Sequence, residues 1–260
     1  MNTKKLFTAV LSLTTACTIC AQEATRKEYP QPEKMGPKMT EFWTPQPKVI
    51  TPGNSQTNSA PSDAIVLFDG KDLSAWTNTK GEAAGWDVKD GIVTVNKKKG
   101  DIQTKEKFGS FQLHLEWLNP TSMTGSSQAR GNSGVFLQGM YEIQILDTYQ
   151  NETYIHGATG SVYKQTAPLV NPMRPLGEWN VYDIIYTAPV FKEDGSYLYR
   201  PRVTVILNGV VIQNNTEIFG TTEYVGLPKT KAHGDGPIRL QSHGDPSPSI
   251  SFRNIWIRRL

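Results

Sequence analysis

The sequence is short of cysteine, of net charge and of long hydrophobic runs, and each shortage excludes something. Only two cysteines occur among 260 residues, Cys17 and Cys20, both in the N-terminal segment. C-terminal to them there is no thiol, so disulfides, zinc–thiolate sites and cysteine nucleophiles are excluded from the rest of the chain. The formal charge is +3, without a basic patch or stripe, which excludes nucleic acid as an expected partner. The longest apolar stretch, Leu6 to Ala21, is too short to span a bilayer comfortably. Lys4 and Lys5 precede it, which makes residues 1–21 a signal segment and the protein an exported one, periplasmic or extracellular. Cleavage after Ala21 would leave a nearly neutral, cysteine-free chain with no transmembrane segment. Around Cys17 and Cys20 the sequence matches a lipid-attachment motif poorly, so lipid anchoring is the lesser expectation.

Helical periodicity is also missing. No window of about 12 residues keeps an apolar period of roughly 3.6, and neither an internal repeat nor a low-complexity tract is found. Residues 22–63 are instead rich in proline, Gln, Asn, Ser and Lys, and read as an arm. Over residues 64–260 the pattern becomes short β-branched and aromatic runs broken by Gly, Asn, Asp and Pro. Phe111–Trp117, Gly134–Leu137, Tyr141–Ile145, Tyr182–Tyr186 and Phe252–Ile257 are examples. Asn208-Gly209, between Val203–Leu207 and Val210–Ile212, is a strong hairpin signal because both residues tolerate positive φ. About ten such strands with few helices, and 37% hydrophobic residues to fill one core, predict an all-β sandwich of two antiparallel sheets.

Alternation assigns side chains to faces. Near the C-terminus Ile238 and Leu240 point one way, and Arg239, Gln241 and His243 the other. In Tyr141–Asp147, Ile143 and Ile145 oppose Glu142 and Gln144, and a β-bulge near Leu146 would bring Asp147 onto the polar face. A face this polar does not enter a dry core without partners. Glu-x-Gln-x-x-Asp resembles the Glu-x-Asp-x-x-Glu motif of laminarinase-type jelly-roll glycosidases, with Gln144 where an Asp would stand and Asp147 one methylene short. These departures argue against double displacement, which needs two carboxylates at a set separation. Asn132, His156, Tyr163 and Lys164 lie in segments able to rim a cleft, and Glu178, Trp179 and Asn180 open a strand, with Trp179 offering a ring to a sugar.

The blocks taken together resemble a known family. Ile65-Val66-Leu67-Phe68-Asp69-Gly70-Lys71-Asp72-Leu73-Ser74-Ala75-Trp76 is similar to the opening of the bacterial 3-keto-disaccharide hydrolases. Asn132–Leu137 with Tyr141–Asp147, Gly177–Ile184, Leu207–Val210, Gly236–Gly244 and Phe252–Ile257 follow in family order. The resemblance implies a concanavalin A-like lectin/glucanase jelly roll that cleaves glycosides oxidised at C3. It implies Glu142 as an acid/base, with Asp147, Arg239 and His243 as further catalytic candidates. Gln144, Gln241, Asn132, Lys164, Glu178, Trp179, Asn180 and His156 would bind substrate. The expected partner is a small-molecule carbohydrate. A divalent metal held by Glu142, Asp147, His156 or His243 stays open, as does the oligomeric state. The alternatives are a non-catalytic carbohydrate-binding module and a member restricted to elimination or hydration.

Overall fold

The computed structural model describes Gly36, Thr40, Glu41 and residues 43–54 and 59–260; the expected signal segment lies outside these residues. The chain divides into two compact units, Met1–Lys48 and Val49–Leu260. The described residues of the first unit hold no strand, and the second carries the sandwich.

Fifteen strands form among the described residues: β1 Ile65–Phe68, β2 Trp76–Asn78, β3 Asp87–Lys89, β4 Ile92–Thr94, β5 Ile102–Thr104, β6 Phe111–Leu118, β7 Ser133–Leu137, β8 Tyr141–Ile145, β9 Trp179–Thr187, β10 Val190–Phe191, β11 Tyr197–Tyr199, β12 Arg202–Leu207, β13 Val210–Glu217, β14 Arg239–Leu240 and β15 Ser251–Arg259. An eight-stranded sheet runs β13-β12-β9-β6-β15-β4-β3, with β1 paired to β15. A five-stranded sheet runs β2-β5-β14-β7-β8. All strand pairings are antiparallel. Among the described residues helix is confined to short 3-10 turns such as Ser127–Ala129 and Ile155–Gly157.

Alternation explains the core. Leu113, Leu115 and Trp117 of β6, Tyr182, Ile184 and Tyr186 of β9, and Val203, Val205 and Leu207 of β12 face Val135, Leu137, Ile143, Ile145 and Leu240 of the smaller sheet. Each such side chain contributes roughly 1.5–3 kcal/mol on full burial. Two tyrosines also bridge the sheets through their hydroxyls. Tyr182 donates to Gln144 O at 2.8 Å and Tyr186 to Gln138 Oε1 at 2.8 Å. Asn208 and Gly209 make the expected turn between β12 and β13 with φ of 52° and 81°. Five strands the sequence did not announce, β2, β3, β5, β10 and β11, have two or three residues each, too few to show a period.

Candidate active site

On β7 and β8 the side chains opposite the core side chains form the floor of a cleft. Phe136 pairs with Glu142 and Gly134 with Gln144 across the strands. A cavity of about 610 Å³ opens over this floor, rimmed by loops carrying Gln128, Tyr154, Lys164, Thr222, Tyr224 and His243. Glu142, Gln144, Asn132, Gln241, His243 and Lys164 all line it. Strand faces and rim loops together thus bring six of the named candidates into one cavity.

Glu142 is the buried acid of the floor, with 4% of its surface exposed. A Cβ built on Gly134 would lie 2.4 Å from Glu142 Oε1, so only glycine at 134 lets the carboxyl lie there. Its backbone N–H donates to Thr222 Oγ1 at 2.9 Å, which ties the strand to the rim. Arg239 turns away to Asp101, with Nη1–Oδ2 at 3.5 Å, and lies 3.9 Å over the Phe136 ring. Burial pushes the Glu142 carboxyl up to about 8; the Arg239 charge opposes the rise and Asp101 adds to it. With its NH2 toward β7, the Gln144 amide donates to Ser133 O at 2.9 Å and Glu142 Oε1 at 3.3 Å. Turned over, it donates to Gln128 Oε1 at 3.2 Å and Asn132 Oδ1 at 3.4 Å. Asn132 Nδ2 donates to Gln128 O at 2.8 Å.

Two polar atoms here are buried without a protein partner, Arg239 Nε and Gln241 Oε1. Each costs about 1–3 kcal/mol; of the two residues only Gln241 lines the cavity, where a bound hydroxyl would relieve it, while Arg239 stands outside the lining. His243 Nδ1 lies 3.0 Å from Asp245 Oδ2, which leaves Nε2 as the ring nitrogen for a ligand. Burial works against ionised Asp245, but bonds from His243 and Ser247 and the charge of Lys97 outweigh it and hold the group at about 2. On the rim, Lys164 takes a positive φ of 57°. Its ammonium bonds to Tyr224 O and stands 4.4 Å over the Tyr224 ring. Beside it Tyr154 and Tyr163 share a hydroxyl contact of 2.7 Å. Burial and these neighbouring tyrosines push the Tyr163 hydroxyl upward.

Other candidates stand elsewhere. β8 ends at Ile145, and Asp147 lies fully buried outside the cavity lining instead of reaching the cleft through a bulge. Its Oδ2 accepts from Arg130 Nε at 2.6 Å, and its backbone N–H donates to Arg130 O at 3.1 Å. A buried carboxylate requires such a cation, and the pair braces the loop that carries Gln128 and Asn132. Trp179 lies on the larger sheet, stacked under Arg253 at 4.1 Å. Asn180 is fully buried and accepts from Arg174 N at 3.0 Å, a structural bond, while Glu178 pairs with Arg174 at 3.7 Å. His156 is exposed and contributes its carbonyl to Lys164 N at 2.8 Å. Among the described residues no three His, Cys, Asp or Glu side chains converge on a metal position. Sequence reading passed over Phe136, Asp101, Gln128, Tyr154, Thr222, Tyr224 and Asp245. Only Phe136 carried a signal, its place opposite Val135 in the alternation; the others sit in loops, where no period exists.

The profile of the 3-keto-disaccharide hydrolases, whose domain is described as 3-keto-alpha-glucoside-1,2-lyase-like, matches residues 63–258. The chain belongs to this family. A candidate glycosyl hydrolase from Parabacteroides distasonis is 66% identical to this chain. The match covers 88% of this chain and 99% of that one, with a TM-score of 0.85. Two further candidate glycosyl hydrolases from that organism share the fold, at 20% and 24% identity and a TM-score of 0.54 each. They cover 79% and 76% of this chain, which spans 96% and 99% of theirs. No curated protein matches the chain. The chain is therefore an all-β jelly-roll sandwich within a carbohydrate-active family. No helix among the described residues is long and apolar enough to cross a membrane.

Proposed function

We propose that the protein cleaves glycosides already oxidised to a ketone at C3, with Glu142 as the base that takes the C2 proton. The C3 ketone acidifies that proton, and its electron pair moves into an enolate whose oxygen faces His243. The carbonyl then re-forms, a C1–C2 double bond appears, and the C1–oxygen bond of the leaving group breaks. Water adds at C1 while C2 regains a proton, so the net change is hydrolysis. Gln144, Gln241 and Asn132 would hold the sugar hydroxyls.

The observation that carries this reading is the single buried acid on the floor, pushed up to about 8. A base works best with a proton affinity near the working pH. Two-carboxylate hydrolysis lacks its second member, because Asp147 is locked to Arg130 outside the cavity and Asp245 is engaged by His243 and Ser247. A passive sugar-binding module gains nothing from burying an acid at that cost. Lys4, Lys5 and the apolar stretch to Ala21 support export as part of the proposal.

The test offers 3-keto-trehalose and a 3-keto-glucoside beside their unoxidised forms, with and without chelator, while enone absorbance and products are followed. Cleavage of the 3-keto forms is expected, with Glu142→Gln slower by on the order of a hundredfold or more. Full turnover by Glu142→Gln, or cleavage of the unoxidised sugars alone, overturns the assignment.

A further inference from the structure

Glu142 and Arg239 occupy one row across the five-stranded sheet, with Phe136 between them. Arg239 pairs with Phe136 in register, and Phe136 pairs with Glu142. Neighbouring strands stand about 4.8 Å apart, so two steps along the row lie within reach of a long arginine. An arginine and a glutamate so placed would ordinarily close into an ion pair, which would pin the carboxylate in its charged form. Here they do not. The guanidinium lies flat on the Phe136 ring at 3.9 Å. Its Nη1 faces Asp101 Oδ2 at 3.5 Å and its Nη2 donates to Gly139 O at 3.2 Å. Glu142 leans the other way, over Gly134.

We infer that Asp101 and Phe136 form a device that holds the Arg239 charge off Glu142, Asp101 as counter-ion and Phe136 as spacer, so that Glu142 is not pinned as a carboxylate and can take up and release a proton. Asp101 is a positioning residue: it lies outside the cavity lining and acts through Arg239. Its Oδ1 also accepts from Ser242 N at 2.8 Å, next to His243.

The remaining groups around Glu142 do not replace this control. From the loop beside β8, Tyr163 is uncharged and Lys164 is turned to Tyr224 O. From the rim above, Tyr224 offers its ring to that lysine. From beyond β14, His243 is held by Asp245, whose charge is met by Lys97 at 3.3 Å.

The inference rests on the proposed role of Glu142 for its consequence, but its test does not need activity. Carbon-13 NMR of glutamate-labelled protein, with the Glu142 signal assigned through Glu142→Gln, reads the titration directly. In the unaltered protein the midpoint is expected near 8. Asp101→Asn keeps the acceptor for Ser242 N–H and removes only the charge, and should lower the midpoint by about one pH unit. Phe136→Leu removes the ring under the guanidinium and should lower it by at least as much. An unchanged midpoint in both variants overturns the inference. The pH–rate profile is read alongside: if the midpoint falls while the acid limb of turnover stays put, the device stands and the catalytic role of Glu142 fails.

Discussion

At the scale of single residues, the chemistry depends on which polar side chains the strand alternation leaves over the cleft and which the loops withdraw. Glu142, Gln144, Gln241 and His243 were legible because a period of two assigns faces without knowledge of the fold. Asp147 was not, because its position beyond the end of β8 is set by the Arg130 ion pair, a contact between loops that no pattern announces. The same holds for Trp179, whose ring is occupied by Arg253 from β15. Gly134 gives a direct test of the floor. A methyl group at 134 meets the Glu142 carboxyl before anything else, so Gly134→Ala should displace the acid and slow turnover of a 3-keto-glycoside by on the order of a hundredfold. Because the displaced atoms end a side chain, the melting temperature should move by no more than about 3 °C. Steady-state kinetics and a circular-dichroism melt on the same variant check both halves; normal turnover would show that the acid need not lie over residue 134.

At the scale of elements, most strands and one turn were readable, and β2, β3, β5, β10 and β11 were not. β8 runs over the residues its alternation predicted, and Asn208-Gly209 closes β12 onto β13 because both residues accept positive φ. β10 and β11 have two and three residues, and tertiary pairing rather than local propensity makes them strands. The site strand β8 is further held from below by the Tyr182 hydroxyl on Gln144 O. Tyr182→Phe removes that bond and leaves a buried carbonyl with one partner fewer, at a cost of about 1 kcal/mol. The expected result is a melting temperature lower by about 2–4 °C with the carboxyl of Glu142 titrating as before, measured by calorimetry and by the NMR titration; an unchanged melt would deny the bridge any structural weight.

At the scale of the whole molecule, folding and proton binding are coupled in opposite directions at the two ends of the pH range. Glu142 is pushed from 4.5 to about 8, so the fold favours its protonated form. That contribution is full below about 4.5 and is lost as pH rises through about 8. Glu142→Gln removes the titration, so its melting temperature should exceed that of the unaltered protein by a margin that grows from about pH 5 to about pH 8. Calorimetry across that range checks the sign, and a constant margin would refute it. Glu116 and Asp245 act at the acid end. Burial raises both, but hydrogen bonds outweigh it: from His114, Asn254 and Arg253 onto Glu116, and from His243 and Ser247 onto Asp245, each held at about 2. Their stabilisation is present above the ordinary carboxylate range and is lost as pH falls toward 2. The sequence by itself determined the all-β class and the polar face of β8, because each follows from composition or from a period along the chain. It also carried the family resemblance. Only the tertiary structure decided that Asp147 stays outside the cleft while Asp245 lines it in the grip of His243 and Ser247, that Phe136 and Asp101 govern Arg239, and that three tyrosines and Lys164 build the rim. Those facts depend on contacts between segments far apart in the chain, and local sequence holds no record of which loop supplies the partner of a buried charge.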